Sequence, residues 1–271
     1  MATEPYSSKH PIGVFDSGIG GLSILRALRL ELPHENFVYV ADSGHAPYGE
    51  RDDSHVIARA RTITAYLQAK HHIKALVMAC NTATAAAIHL LRQAHPELPI
   101  IGVEPALKPA VAQSQTRRIG VMATRGTLGS VKFRSLVESL AGQADFICQP
   151  CDGLADAIEH QDAIKTIALC QHYTRAMGAF GTQSGQIDTL VLGCTHYPFA
   201  RDHLIQQLGP DVRLIDNGEP VARQTRRVLP QLASGETLGQ CLLLTTGEAA
   251  FVKQAAQHWL GLECRVDSLI D

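Results

Sequence analysis

Short apolar runs alternating with longer helical stretches constrain this chain more than any other feature. Runs rich in β-branched residues stand at Ile12–Phe15, Phe37–Ala41, Ala75–Ala79, Ile100–Val103, Arg118–Ala123, Asp145–Cys148, Leu190–Leu192, Val212–Ile215 and Leu242–Thr245. Helical patterns fill the gaps, for example Gly21–Leu32, Ser54–His71, Thr82–Ala94 and Leu154–Met177. Continuous apolar runs fit strands buried on both faces. Their alternation with helices predicts an α/β fold with a mainly parallel sheet. In such sheets ligands bind at the carboxyl ends of the strands.

A faint internal echo refines this reading. Ile12-Gly-Val-Phe-Asp16-Ser17 resembles Ile119-Gly-Val-Met-Ala-Thr124, 107 residues later. Two apolar strands end in a cysteine followed by polar residues, Cys80-Asn81-Thr82 and Cys194-Thr195-His196, 114 residues apart. The near-equal offsets suggest two similar parallel-sheet α/β domains with the active site between them. The expected division is 1–103 plus 216–271 for the first domain and 104–215 for the second. Strand Leu242–Thr245 and helix Gly247–Leu260 would return to the first domain. With 271 residues the chain is long enough for two ordinary domains.

Composition excludes several classes of function. Net charge is −2, so no long-range field favours nucleic acid or anionic lipid. No apolar run approaches the ~20 residues of a membrane span. The first ten residues are polar, without a signal-peptide core, and read as a short disordered tail. Seven cysteines, an odd count, suit free thiols in a reducing compartment, hence a cytoplasmic protein. Cys148 and Cys151 have C-x-x-C spacing, but no second pair stands at zinc-site distance and Gln-Pro then Asp-Gly reads as a loop. The histidines lack metal-site spacing, so neither a metal nor another cofactor is expected.

The residues at the strand ends carry chemistry. Asp16-Ser17-Gly-Ile-Gly-Gly21 is a strand-to-helix turn whose backbone amides suit a carboxylate. Its spacing is neither a dinucleotide fingerprint nor a phosphate loop. Pro47-Tyr48-Gly49 makes a rigid turn with a phenol and backbone N–H donors. Cys80 opens a helix, where the dipole favours a negative sulfur. A turn after Cys194 would bring His196 round as its proton partner. Thr124 and Thr127 offer hydroxyls at another helix start. Two thiols with hydrogen-bonding groups and no cofactor site suit inversion of a carbon acid, with one base on each face.

Phe15-Asp-Ser-Gly-Ile-Gly-Gly21, Pro47-Tyr-Gly49, Ala79-Cys-Asn-Thr-Ala-Thr84, Gly102-Val-Glu-Pro105, Ala123-Thr-Arg-Gly-Thr127 and Gly193-Cys-Thr-His-Tyr-Pro198 resemble, in order, the motif set of the bacterial glutamate racemase family, within the aspartate/glutamate racemase superfamily. The resemblance implies cofactor-independent interconversion of L- and D-glutamate for peptidoglycan synthesis. It implies Cys80 as base towards D-glutamate and Cys194 towards L-glutamate, assisted by Asp16 and His196. It implies substrate binding by Asp16, Ser17, Pro47, Tyr48, Gly49, Asn81, Thr82, Thr124, Thr127, Thr195 and His196. Family members are commonly homodimers, so a homodimer is implied, and regulation by a cell-wall precursor is left open. The family often carries a Glu near the helix after the sixth strand. Asp156, in Leu154-Ala-Asp156, is expected to take that place here. Alternatives are an aspartate- or hydantoin-type racemase, a Cys-His hydrolase that leaves Cys80 idle, and a non-catalytic amino-acid-binding protein.

Overall fold

A computed structural model describes residues 9–229, 231–262 and 264–269; the expected N-terminal tail lies almost wholly outside them. The chain divides into two compact units, residues 1–103 with 218–271 and residues 104–217. In the first unit run β1 (Ile12–Asp16), α1 (Leu22–Glu31), β2 (Phe37–Ala41), α2 (Asp53–His71), β3 (Ala75–Met78), α3 (Asn81–Ala94) and β4 (Ile100–Gly102). The second unit holds α4 (Leu107–Gln113), β5 (Arg118–Ala123), α5 (Arg125–Gly129), α6 (Val131–Glu138), β6 (Asp145–Pro150), α7 (Leu154–Glu159), α8 (Ala163–Met177), β7 (Thr189–Leu192), α9 (Arg201–Leu208) and β8 (Arg213–Ile215). The chain then returns to the first unit with α10 (Gly218–Val228), β9 (Cys241–Thr245), α11 (Ala249–Leu260) and β10 (Val266–Ser268).

Both sheets are parallel throughout the described residues. The first has the order β10-β9-β2-β1-β3-β4, the second β6-β5-β7-β8. Each therefore contains the same four-strand pattern: second strand, first, third, fourth. This gives the internal echo a structural counterpart. The glycine in each Ile-Gly-Val strand lies under a close side-chain contact. A Cβ on Gly13 would lie 2.9 Å from Ile73 Cδ1, and one on Gly120 would lie 2.7 Å from Met177 Cε. In both units a side chain from the segment leading to the third strand presses onto the first strand and would have to shift to admit a methyl group.

The central strands are buried on both faces, as the continuous apolar runs require. Every residue of β1, β2, β3 and β7 is buried. Phe15, Val40, Leu76 and Met78 meet Val56, Leu67, Ala83, Ile88 and Leu91 of α2 and α3 in one core cluster. In the second unit Leu190 and Leu192 pack with Leu154, Cys170, Tyr197 and Leu204 in another.

The differences from the sequence reading are local. The single helix read over Leu154–Met177 is two. The chain breaks at His160-Gln161-Asp162, where Gln161 takes a positive φ of 55° and Asp162 caps α8 through Lys165 N–H at 2.9 Å. Gln149 and Pro150, read as loop, continue β6. Proline is tolerated there because β6 is an edge strand and Pro150 ends it. The short β10 and helices α4, α5, α6, α9 and α10 add to the elements that the sequence pattern marks. Among the described residues no helix is long and apolar enough to cross a membrane.

A buried ion pair ties the returning segment to the first unit. Lys74 Nζ lies 2.6 Å from Glu35 Oε2, with both side chains almost inaccessible. Glu35 Oε1 accepts the Ala233 N–H at 2.7 Å. Removing one partner strands a buried charge. Lys74→Ala should therefore cost about 3–5 kcal/mol in urea unfolding, and a loss below about 1 kcal/mol would contradict this.

Candidate active site

In the first unit the site grows from neighbouring strand ends. β1 pairs with β3, and the Ala79 N–H donates to Phe15 C=O at 2.8 Å, which sets the exits of the two strands side by side. β1 delivers Asp16 and Ser17. Cys80 follows β3 by two residues and is the N-cap of α3. Its Sγ accepts the Ala83 N–H at 3.4 Å and lies 3.9 Å from Ser17 Oγ. A donor and the positive end of a helix thus face the sulfur, which suits it when it carries negative charge. Asn81 and Thr82 open α3 and are buried. The Thr84 hydroxyl donates to Met78 C=O at 3.3 Å and accepts the Val103 N–H at 3.1 Å, fastening the ends of β3 and β4.

Asp16 is fully buried and its Oδ2 accepts the Gly21 N–H at 2.6 Å. The turn between them closes because Gly21 has no side chain. A Cβ there would lie 2.6 Å from Asp16 Cβ and 2.8 Å from the Tyr39 hydroxyl, which itself donates to Gly18 C=O at 2.5 Å. Farther along, Tyr48 is buried within the Pro47-Tyr48-Gly49 turn and its hydroxyl donates to Asp42 Oδ2. Burial, and then the Asp42 carboxylate, push the phenol far above its ordinary pKa. The phenolic proton is therefore directed at Asp42, and the turn's backbone amides remain its natural donors to a ligand.

In the second unit β5 leads to Thr124 and β7 to Cys194. The Gly193 N–H donates to Met122 C=O at 2.7 Å. As with Cys80, the thiol stands two residues beyond its strand. The expected turn after Cys194 is present: Tyr197 N–H reaches Cys194 C=O at 3.1 Å, and His196 Nδ1 comes to 3.8 Å from Cys194 Sγ. The other ring nitrogen, Nε2, lies 2.6 Å from Glu159 Oε2. Thr195 and Thr127 are buried, and Thr124 Oγ1 accepts the Thr127 N–H at 3.2 Å while its hydroxyl donates to Thr127 Oγ1 at 2.9 Å.

Glu159 corrects the expectation for Asp156. Asp156 pairs with Lys165 Nζ at 3.1 Å and His160 Nδ1 at 3.2 Å on the accessible side of α7. Glu159, the last residue of α7, is 6 % exposed and faces His196. The break after α7 places it there, and that break was hidden in the sequence by an uninterrupted helical pattern. Burial opposes a charge on His196, but its contacts with Cys194 and with Glu159 outweigh burial and hold its pKa well above 6.5. The imidazolium can then donate to Glu159 from Nε2 and point Nδ1–H at the sulfur.

Of the other thiols, Cys151 and Cys170 lie in apolar surroundings. Burial pushes Cys170 up to about 11 and Cys241 up to about 12, and raises Cys151 further still. All seven cysteines are free. Cys80 and Cys194 are 5 % and 6 % exposed. Among the described residues no group of three or more His, Cys, Asp or Glu side chains could hold a metal ion.

The Asp/Glu/Hydantoin racemase family matches residues 22–225, and the chain belongs to that family. Relatives named glutamate racemase include one from Stutzerimonas stutzeri, 49 % identical over 83 % of this chain and 85 % of the relative. Another, from Ectopseudomonas mendocina, is 48 % identical over 93 % of this chain and 89 % of its own length. Among solved structures, glutamate racemase isoform RacE1 from Bacillus anthracis is 29 % identical, with TM-score 0.86, covering 97 % of this chain and 98 % of that one. The Escherichia coli glutamate racemase, solved with L-glutamate and the activator UDP-MurNAc-ala, is 28 % identical, with TM-score 0.80, covering 96 % and 98 %.

Two predictions follow from this geometry. Glu159→Gln removes the carboxylate that favours the imidazolium, so the His196 midpoint, followed by NMR of the imidazole, should fall towards 6.5. Because folding raises the His196 pKa, its contribution to stability is complete below about 6.5 and fades as pH rises through the folded value. Glu159→Gln should lessen that stabilisation, and an unchanged His196 midpoint would contradict the assignment. Separately, Gly21→Ala should displace Asp16 and cost about 1–3 kcal/mol in thermal or urea unfolding; unchanged stability would contradict the close approach.

Proposed function

We propose that this protein is a glutamate racemase that works by two-base proton transfer at Cα without a cofactor, and that it supplies D-glutamate for peptidoglycan synthesis in the cytoplasm. The observation that carries the mechanism is the matched placement of Cys80 and Cys194. Each is a nearly buried thiol two residues beyond the third strand of a like-ordered parallel sheet. The substrate reading is supported by the relatives named glutamate racemase, which match 83 % and 93 % of the chain. Seven free cysteines suit a reducing compartment.

In this reading Cys80 takes the α-proton of D-glutamate and Cys194 takes that of L-glutamate. The thiol on the other face returns a proton. The α-proton is far less acidic than any thiol, so the site must stabilise the developing carbanion by desolvation and by donors aimed at the carboxylate. Ser17, Asn81, Thr82, Thr124, Thr127 and Thr195 provide hydroxyls and an amide for this, while the Tyr48 and Gly49 backbone N–H groups hold the substrate away from the reacting carbon. His196, held by Glu159, manages the proton at Cys194, and Asp16 assists on the Cys80 side.

Circular dichroism with each glutamate enantiomer, in the absence of cofactor, tests the reading. The signal should decay to zero from both directions, and aspartate should react poorly. Cys80→Ala and Cys194→Ala should each lower kcat by about 10²–10⁴-fold. Loss confined to one of the two variants would contradict the two-base mechanism. Stable optical activity of both enantiomers would contradict the proposal.

A further inference from the structure

Asp42 is a buried carboxylate that the proton-transfer scheme leaves without a task. It is fully inaccessible, yet four side-chain donors converge on it. Arg59 of α2 grips it with two bonds, Nε to Oδ2 and Nη2 to Oδ1, both at 2.9 Å. The Tyr48 hydroxyl donates to Oδ2, and the Thr246 hydroxyl donates to Oδ1 at 2.9 Å. A carboxylate has about four acceptor positions, so this one is saturated. Its backbone is equally engaged: Asp42 N–H donates to Asp16 C=O at 2.9 Å.

These contacts surround the segment 43–50, which crosses from β2 to α2 and carries Pro47-Tyr48-Gly49. The segment consists of two single 3-10 turns, Ser43–His45 and Tyr48–Glu50, with little backbone bonding of its own. Its shape depends on external anchors. Thr246 supplies a second one, because its Oγ1 accepts the Gly44 N–H at 3.1 Å while its own N–H donates to Ala41 C=O at 3.1 Å. The fit is close: a Cβ on Gly44 would lie 2.7 Å from Thr246 C=O. Thr246 follows β9 in the returning segment, beyond residue 225, where the family match ends.

We propose that Asp42 is a positioning residue, clamped between Arg59 and Thr246, that holds the Pro47-Tyr48-Gly49 turn in its substrate-binding shape. The inference rests on the racemase reading and deepens it. The clamp touches no reacting atom and acts through Tyr48 and the backbone amides beside it. Those amides meet a part of the substrate that changes little between ground and transition state. Loosening the turn therefore weakens binding of both equally, which raises KM and leaves kcat alone.

Thr246→Val tests the clamp, since it keeps side-chain volume while removing the hydroxyl. KM for both glutamate enantiomers should rise by about tenfold, the effect of one hydrogen bond to a charged group, with kcat within about twofold. Thr246→Ser should restore KM, which a merely structural role would not require. Asp42→Asn should raise KM further, and if it fails to fold, the Thr246 pair carries the test. An unchanged KM in Thr246→Val, or a fall in kcat at constant KM, overturns the clamp while leaving the racemase reading intact. If the unsubstituted protein racemises neither enantiomer, the racemase reading falls and the clamp falls with it.

Discussion

Parallel pairing brings the carboxyl ends of β1 and β3 to the same edge of the first sheet, and those of β5 and β7 to the same edge of the second. The chemistry depends on this constraint. A buried strand end exposes backbone donors and acceptors that need partners, and each segment that follows supplies them locally. At Cys80 the sulfur itself caps a helix. After Cys194 a tight turn closes on the cysteine carbonyl and brings His196 back beside the thiol. The same backbone requirement thus places a nearly dry thiol next to hydrogen-bonding side chains in both units.

The two thiols have different neighbours. Cys80 sits with the Ser17 hydroxyl, the Ala83 N–H and the start of α3. Cys194 sits with a histidine whose far nitrogen is held by a buried carboxylate. In the proposed mechanism a symmetric reaction runs on unlike neighbours, because each thiol would act as base in one direction and as acid in the other. Dipole and donors act on one sulfur, and an imidazolium–carboxylate pair acts on the other. The contacts with Cys194 and with Glu159 together offset the desolvation that would otherwise discharge His196.

The strand framework was legible because continuous apolar runs have few other uses. Phe37–Ala41 and Arg118–Ala123 match the observed strands end to end. The repeated Ile-Gly-Val signalled two like-ordered sheets because the same packing squeeze acts at Gly13 and Gly120. Both thiols and His196 were legible from their position at strand ends. Glu159 was not, since its role depends on the chain turning at Gln161, a positive-φ position that no glycine marks. Asp42 and Thr246 meet across more than 200 residues of sequence. No local pattern encodes that contact, which exists only because β9 returns to pair with β2.

The proposed mechanism has two thiols, each serving one face of a single carbon. Each thiol holds one exchangeable hydrogen, so early turnover in D₂O distinguishes two bases from one. Starting from L-glutamate, the D-glutamate formed in the first few per cent of reaction should carry deuterium at Cα, while recovered L-glutamate keeps protium. Deuterium appearing equally early in both enantiomers would mean that one base serves both faces, and would contradict the account.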